Sequence, residues 1–266
     1  MDIIVCVKQV PDPETPPASF RIDPGTNKVI PAQGIAPVIS TFDELAVEAA
    51  LRIKDKHGGK VTAMTLGPES ARDVLKHAMA MGADEGIHLL DAAFGDGDGW
   101  ATAYALAQAI KKVGRYDLVL CGRQAADWDA GQVGLGIAEF LNLPSVTPIK
   151  KVEVSDGKLG VERLVADGFE VLEVSPPALL TVSNELGEPR YPTLRGIMMA
   201  ARKQVTTWNA QDIGVEASQV GARGARTKLL RLFIPIRESK CEIVEGEDVV
   251  DAATKLALRL RESKII

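Results

Sequence analysis

The chain has 266 residues, a formal net charge of −5, 46% apolar and 25% charged residues, a composition that fits a globular protein of one or two domains. No apolar run approaches the ~20 residues of a bilayer span, and the acidic balance argues against non-specific nucleic-acid binding. Three His, three Cys and 5% aromatics leave little material for a zinc site or a His-centred triad, so any chemistry is expected from a bound cofactor or partner.

The first 145 residues alternate strand and helix signals. Residues Ile3 to Val7 are a short continuous apolar run of the kind found in buried parallel strands. Leu45, Ala49, Leu51 and Ile53 mark an amphipathic helix from Phe42 to Lys56, stopped by Gly58-Gly59. Lys60 to Leu66 is a second strand, ended by Gly67-Pro68, and Glu69 to Met81 a second helix. Ile87 to Leu90 is a third strand, Ala101 to Val113 an Ala-rich third helix, Asp117 to Cys121 a fourth strand, and Gln132 to Leu141 a fourth helix. This order predicts an α/β fold, a parallel sheet with helices on both faces.

Beyond Pro144 the pattern alternates as antiparallel strands do: Val146 to Val154, Leu159 to Val165 and Glu170 to Val174, with turns at Ser155-Asp156-Gly157 and Asp167-Gly168. An apolar strand, Ala178 to Val182, follows Pro176-Pro177. These strands are expected to extend the same sheet. Asn184 to Arg195 reads as irregular, Gly196 to Arg202 as a helix, and Asp248 to Glu262 as a closing amphipathic helix. Gly214 to Lys240 is long for an internal loop, so it is functional, disordered, or an arm lying on a partner chain. The expected division is 1–213 for the α/β domain and 214–266 for a C-terminal arm and helix.

Ligands of open α/β sheets bind beyond the carboxyl ends of the strands. The loops after Val7, Leu66, Leu90 and Cys121 are therefore the ones to inspect, and the last carries most information. It runs Gly122-Arg123-Gln124-Ala125-Ala126-Asp127-Trp128-Asp129-Ala130-Gly131 and enters a helix near Gln132. A helix start offers free N–H groups and partial positive charge to a phosphate. Gly131 and Gly134 let backbone come close, Gln132 adds a donor and Arg123 a charge. The alternative is a plain βα turn with Asp127 or Asp129 as helix cap. Neither nucleotide-binding glycine fingerprint is present. Cys6 reads as a core residue, His57 and His77 as surface residues, His88 as a satisfied strand histidine, and Met79, Met81, Met198 and Met199 as helix-packing residues. The cysteines, unpaired by spacing, read as reduced, largely buried thiols of a cytoplasmic protein, and the first residues show no signal peptide.

Several stretches together resemble the beta subunit of electron transfer flavoprotein: Ile3 to Asp12 (IIVCVKQVPD), Ala78 to Asp84 (AMAMGAD), Gly122 to Gly134, Val161 to Thr181 (VERLVADGFEVLEVSPPALLT) and Gly187 to Leu194 (GEPRYPTL). In the fourth of these Arg163, Asp167, Gly168, Glu170, Leu172 and Pro177 fit the family's defining motif, and Ala166 departs from it. The likeness covers most of the chain. It implies an adenine-nucleotide-hydrolase-like fold and a heterodimer with an alpha subunit that carries most contacts to a redox FAD. It also implies electron flow from acyl-CoA or related dehydrogenases to a quinone reductase or similar acceptor. By the same resemblance the beta subunit holds a nucleotide of its own, AMP in most members and a second FAD, meeting NADH, in electron-bifurcating ones.

Carried over by position, Cys6, Leu66 and the turn Ser40, Thr41, Phe42, Asp43 line the adenine pocket. Gly122, Arg123, Gln124, Asp127, Trp128, Asp129, Gln132, Val133 and Gly134 form the phosphate loop. Leu194, beside Tyr191, matches the leucine that anchors the dehydrogenase; without the resemblance it would read as the first core residue of the following helix. Ser40-Thr41 stand where the family often has Asn-Pro. Trp128 and Ala130 replace the small residue and threonine of bifurcating members. An indole there would crowd an isoalloxazine, so AMP is the expected nucleotide, although the wordings VCVKQVPD and GRQA…QVG belong to the bifurcating side.

Overall fold

The computed structural model describes residues 1–235 and 241–266. In chain order its elements are strands β1 (Asp2–Cys6), β2 (Gln9–Val10), β3 (Arg21–Asp23), β4 (Lys28–Ile30) and β5 (Val38–Ile39), then helix α1 (Thr41–His57) and strand β6 (Lys60–Leu66). There follow α2 (Arg72–Met81), β7 (Glu85–Leu89), α3 (Gly99–Val113), β8 (Leu118–Gly122) and α4 (Val133–Leu141). Strands β9 (Ser145–Ser155), β10 (Lys158–Val165), β11 (Gly168–Val174) and β12 (Ala178–Val182) come next. Helix α5 (Leu194–Arg202), β13 (Thr206–Trp208), α6 (Gly221–Gly224) and α7 (Val249–Glu262) complete the chain.

Nine strands form one sheet in the order β11-β10-β9-β12-β8-β1-β6-β7-β13. All pairings from β9 to β13 across the sheet are parallel, and β10 and β11 join antiparallel at one end. The expected α/β fold, extended by antiparallel strands, is therefore present. Two buried layers cover the faces. Leu45, Leu51 and Ile53 of α1 and Val74, Leu75 and Met79 of α2 pack against Val5, Val61 and Leu120 on one side. Leu106 and Ile110 of α3 and Ile137 of α4 pack against Ile4, Met64 and Val119 on the other. Burying each such side chain is worth about 1.5–3 kcal/mol, and the alternation along β1 sends neighbouring residues to opposite layers. The chain leaves β1 toward β6 on one side and returns to β8 on the other, so the strand order reverses between β1 and β8, where Cys6 is in register with Cys121.

Several expectations are corrected. Two antiparallel pairs, β2 with β5 and β3 with β4, fill residues 9–39, where the sequence shows only a Pro-rich link. β13 adds a parallel edge strand beside β7. Helix α2 begins at Arg72 because Glu69 to Ala71 forms a separate 3-10 turn. Helix α5 begins two residues before Gly196, since Thr193 caps it by accepting from Gly196 N at 3.0 Å. Met198 and Met199 are exposed rather than packed, Leu194 is no core residue, and Cys241 is exposed. His88 is fully buried; Nε2 lies 3.1 Å from Gly67 O, but Nδ1 has no partner. By its internal contacts the chain forms two compact units, Met1–Leu232 and Phe233–Ile266. Within the long stretch from Gly214, Val220 is buried in the first unit, while residues 236–240 lie outside those described. No helix among the described residues is long and apolar enough to cross a membrane.

Candidate functional site

The reversal between β1 and β8 opens a crevice beyond their carboxyl ends, the place where open α/β sheets bind ligands. Three segments meet there: Cys6 to Lys8, the start of α1, and the loop from Gly122 into α4. Asp43, in the first turn of α1, joins them. Its carboxylate accepts from Lys8 N at 2.8 Å and from Gly122 N at 3.0 Å, tying both strand ends to the helix. The carboxyl is almost wholly buried, and burial pushes its pKa up to about 7, against the two backbone donors and nearby Lys8. Ser40 is buried and does not cap α1 with its hydroxyl. That hydroxyl accepts instead from Ala126 N at 3.2 Å, so the substitution for the family's usual Asn still ties the turn to the loop. Thr41 is exposed.

The loop is braced along its length. Lys8 Nζ holds Asp127 at 2.7 Å, and Gln124 Nε2 holds Asp129 at 2.8 Å. Asp129 itself takes a left-handed φ of 50° and its N–H reaches Ala125 O at 2.9 Å. Arg123 lies 5.4 Å from the Phe42 ring and donates to Ser183 Oγ at 3.4 Å. Asp127 and Asp129 are thus occupied elsewhere, and α4 has no side-chain cap. The reading of either as a helix cap falls, and the first N–H groups of α4, unbonded within the helix, remain open to a ligand. Gly131 turns at φ 62°, and a side chain on Gly134 would come within 3.0 Å of Thr181 Cγ2 and 3.4 Å of Cys121 Cβ. An uncapped, glycine-flanked helix start, with Asp127 paired to Lys8 and Asp129 held by Gln124, is a donor set that fits the phosphate of a nucleotide.

Cys6 and Cys121 lie side by side at the ends of β1 and β8, both buried; the hydrogen bond that the Cys121 thiol donates to Cys6, together with burial, holds that thiol well above the usual range. The Cys121 thiol is therefore not poised as a thiolate nucleophile. Leu66 ends the neighbouring strand β6, half-buried. Trp128, in the same loop, leaves 55% of its surface exposed. Among the described residues no cluster of three His, Cys, Asp or Glu converges to hold a metal.

The structure therefore brings together Cys6, Ser40, Phe42, Asp43, Gly122, Arg123, Gln124, Asp127, Asp129, Gln132, Val133 and Gly134. Lys8 was missed by sequence reasoning; only its place just past β1 signalled it. Tyr191 and Leu194 lie apart, at the α5 end of the helical layer formed by α1, α2 and α5. Tyr191 is 93% and Leu194 75% exposed.

The family model for the electron transfer flavoprotein domain matches residues 28–213. Over the full length of both chains, the sequence is 44% identical to an electron transfer flavoprotein subunit beta of Thermoanaerobacterium thermosaccharolyticum and 43% identical to the caffeyl-CoA reductase-Etf complex subunit CarD of Acetobacterium woodii. It is 39% identical to protein FixA of Azorhizobium caulinodans, with 97% of this chain and 93% of that one aligned.

Proposed function

The chain belongs to the electron transfer flavoprotein family as a beta subunit, and from that membership we propose that it works in a heterodimer whose alpha subunit holds most of a redox FAD, carrying electrons from an acyl-CoA or related dehydrogenase to a quinone reductase or similar acceptor. Beta subunits of this family are electron carriers rather than enzymes. Free thiols at Cys6, Cys121 and Cys241 support a cytoplasmic setting.

The observation that carries the nucleotide assignment is the uncapped start of α4 between Gly131 and Gly134. The N–H groups of its first turn, with the Gln132 side chain, would take a phosphate. Cys6, Leu66 and the turn from Ser40 to Asp43 would flank the adenine. Lys8, paired to Asp127, keeps acidic charge from repelling the anion.

AMP was the expected occupant because of Trp128. The likeness to the caffeyl-CoA reductase-Etf complex subunit CarD and to FixA, over 100% and 97% of this chain, weighs the other way, as do the stretches VCVKQVPD and GRQA…QVG. We therefore take FAD as the nucleotide of this crevice and AMP as the alternative. FAD bound there supplies a second redox centre; the chain's own part is to hold its phosphates and adenine. The test is the anaerobic visible spectrum of the heterodimer. Bleaching by NADH without any dehydrogenase supports FAD here. Bleaching only by an acyl-CoA dehydrogenase with its substrate supports AMP, and a spectrum unmoved by either contradicts the electron-carrier function.

A further inference from the structure

Exposed apolar side chains gather on one ridge: Tyr191, Leu194, Ile197, Met198 and Met199 each leave half or more of their surface in water. Contiguous apolar surface of this kind marks an interaction site. The segment beneath it is held by an unusual device. Glu48, in the middle of α1, is a carboxylate whose side chain is only 6% exposed. It accepts from Arg190 N at 3.2 Å, Arg190 Nε at 2.7 Å and Arg52 Nε at 2.7 Å. Arg52 then spends its two terminal nitrogens on the loop backbone, reaching Leu186 O and Glu188 O at 2.9 Å each. Arg190 also reaches Asp55 at 2.9 Å.

The far end of the ridge is fixed as firmly. Lys76 Nζ takes the carbonyls of Ala200 at 2.8 Å, Ala201 at 3.2 Å and Lys203 at 2.5 Å, closing the end of α5. The ridge is thus clamped at both ends, and the clamp at its start turns on one acid.

A buried carboxylate between two guanidiniums is a poor way to gain stability, since an apolar residue of similar size commonly does as well. At this position of α1, whose neighbours Leu45, Ala49 and Leu51 are core residues, an apolar side chain would be the simpler choice. What the acid adds is geometry: planar, bidentate partners that fix a loop in one conformation. A loop already ordered loses less entropy when a partner binds it.

We propose that Glu48 is a positioning residue for docking: through Arg190 and Arg52 it presets the loop bearing Tyr191 and the approach to Leu194, so that the donor dehydrogenase meets a formed ridge. This rests on Leu194 being the dehydrogenase anchor. The test uses the heterodimer with its alpha subunit, reduced by a purified short-chain acyl-CoA dehydrogenase with butyryl-CoA. Glu48→Gln is expected to raise the KM for the heterodimer about tenfold. It should leave kcat within about twofold and flavin content unchanged, while amide exchange of residues 186–193 quickens. Leu194→Ala should raise the same KM, and the double variant should be no worse than Leu194→Ala alone, because both act on one docking event. If Glu48→Gln does not fold, Arg190→Gln, which leaves Glu48 paired with Arg52, reads the same KM. An unchanged KM for Glu48→Gln or Arg190→Gln beside a raised one for Leu194→Ala overturns the positioning role and leaves the anchor standing. Additive effects in the double variant also overturn it. An inert Leu194→Ala overturns the anchor and the positioning role together.

Discussion

Gly122 ends β8 at the crevice, and Gly122→Ala tests whether α1 presses on it as closely as described. A Cβ there would lie 2.5 Å from Asp43 Oδ1 and 2.7 Å from both the carbonyl carbon and Cβ of Phe42. The Phe42 atoms belong to or adjoin the main chain and cannot swing aside. Apolar atoms rest at about 3.5–4.0 Å, so the first turn of α1 must retreat by roughly 1 Å. Gly122 has no left-handed φ, so alanine adds no backbone strain and the cost is steric. Overpacking costs about 1–3 kcal/mol, and loosening the Gly122 and Lys8 bonds to Asp43 costs about 1 kcal/mol more. At about 2–4 °C per kcal/mol for a chain of this size, the Tm of the heterodimer should fall by roughly 5–15 °C, with partial loss of bound nucleotide. Gly160→Ala is the control: its nearest neighbour would be Glu153 O at 3.9 Å, an ordinary contact. A Gly122→Ala heterodimer that melts with the Gly160→Ala control and keeps its full nucleotide would refute the close packing of α1 on β8.

Two further outcomes follow from the same geometry. Asp43 has its pKa raised to about 7 from 3.8, so the folded chain binds this proton more tightly than the unfolded chain. Its contribution to stability is therefore present at low pH, declines as pH rises from about 4 to 7, and levels off above that, with a ceiling of about 4 kcal/mol. Asp43→Asn should remove that decline from the urea midpoint measured between pH 5 and 8; identical slopes for both proteins would contradict the burial argument. On the docking ridge, Gly196→Ala would set a Cβ 2.3 Å from Ala80 O, so α5 must lift from α2. Hydrogen exchange should show faster amides at 194–202 and reduction by the dehydrogenase should need more heterodimer, whereas unchanged exchange would place α5 farther from α2 than described.

Much of the sheet is legible because buried parallel strands carry their own signal. Lys60–Leu66 and Ala178–Val182 are continuous apolar or β-branched runs bounded by Gly or Pro, and both strands match their expected bounds. The strand pairs within residues 9–39 escape because they are two or three residues long and carry no period. β13 escapes as a three-residue edge strand fixed by its pairing with β7.

The crevice shows the same division. A glycine-flanked loop after a strand points to α4, but where Asp127 and Asp129 turn is decided by Lys8, 119 residues away from Asp127, and by Gln124. Glu48 is invisible for a related reason. An acid on a helix reads as solvated surface unless its partner is seen, and Arg190 lies 142 residues along the chain.

The crevice between β1 and β8 is proposed to hold FAD at the start of α4. Copurifying the chain with its alpha subunit, releasing the nucleotides by denaturation and counting them tests it most directly. Two FAD per heterodimer and no AMP is the predicted result. One FAD with one AMP would return the crevice to AMP, and a single FAD with no second nucleotide would contradict the site itself.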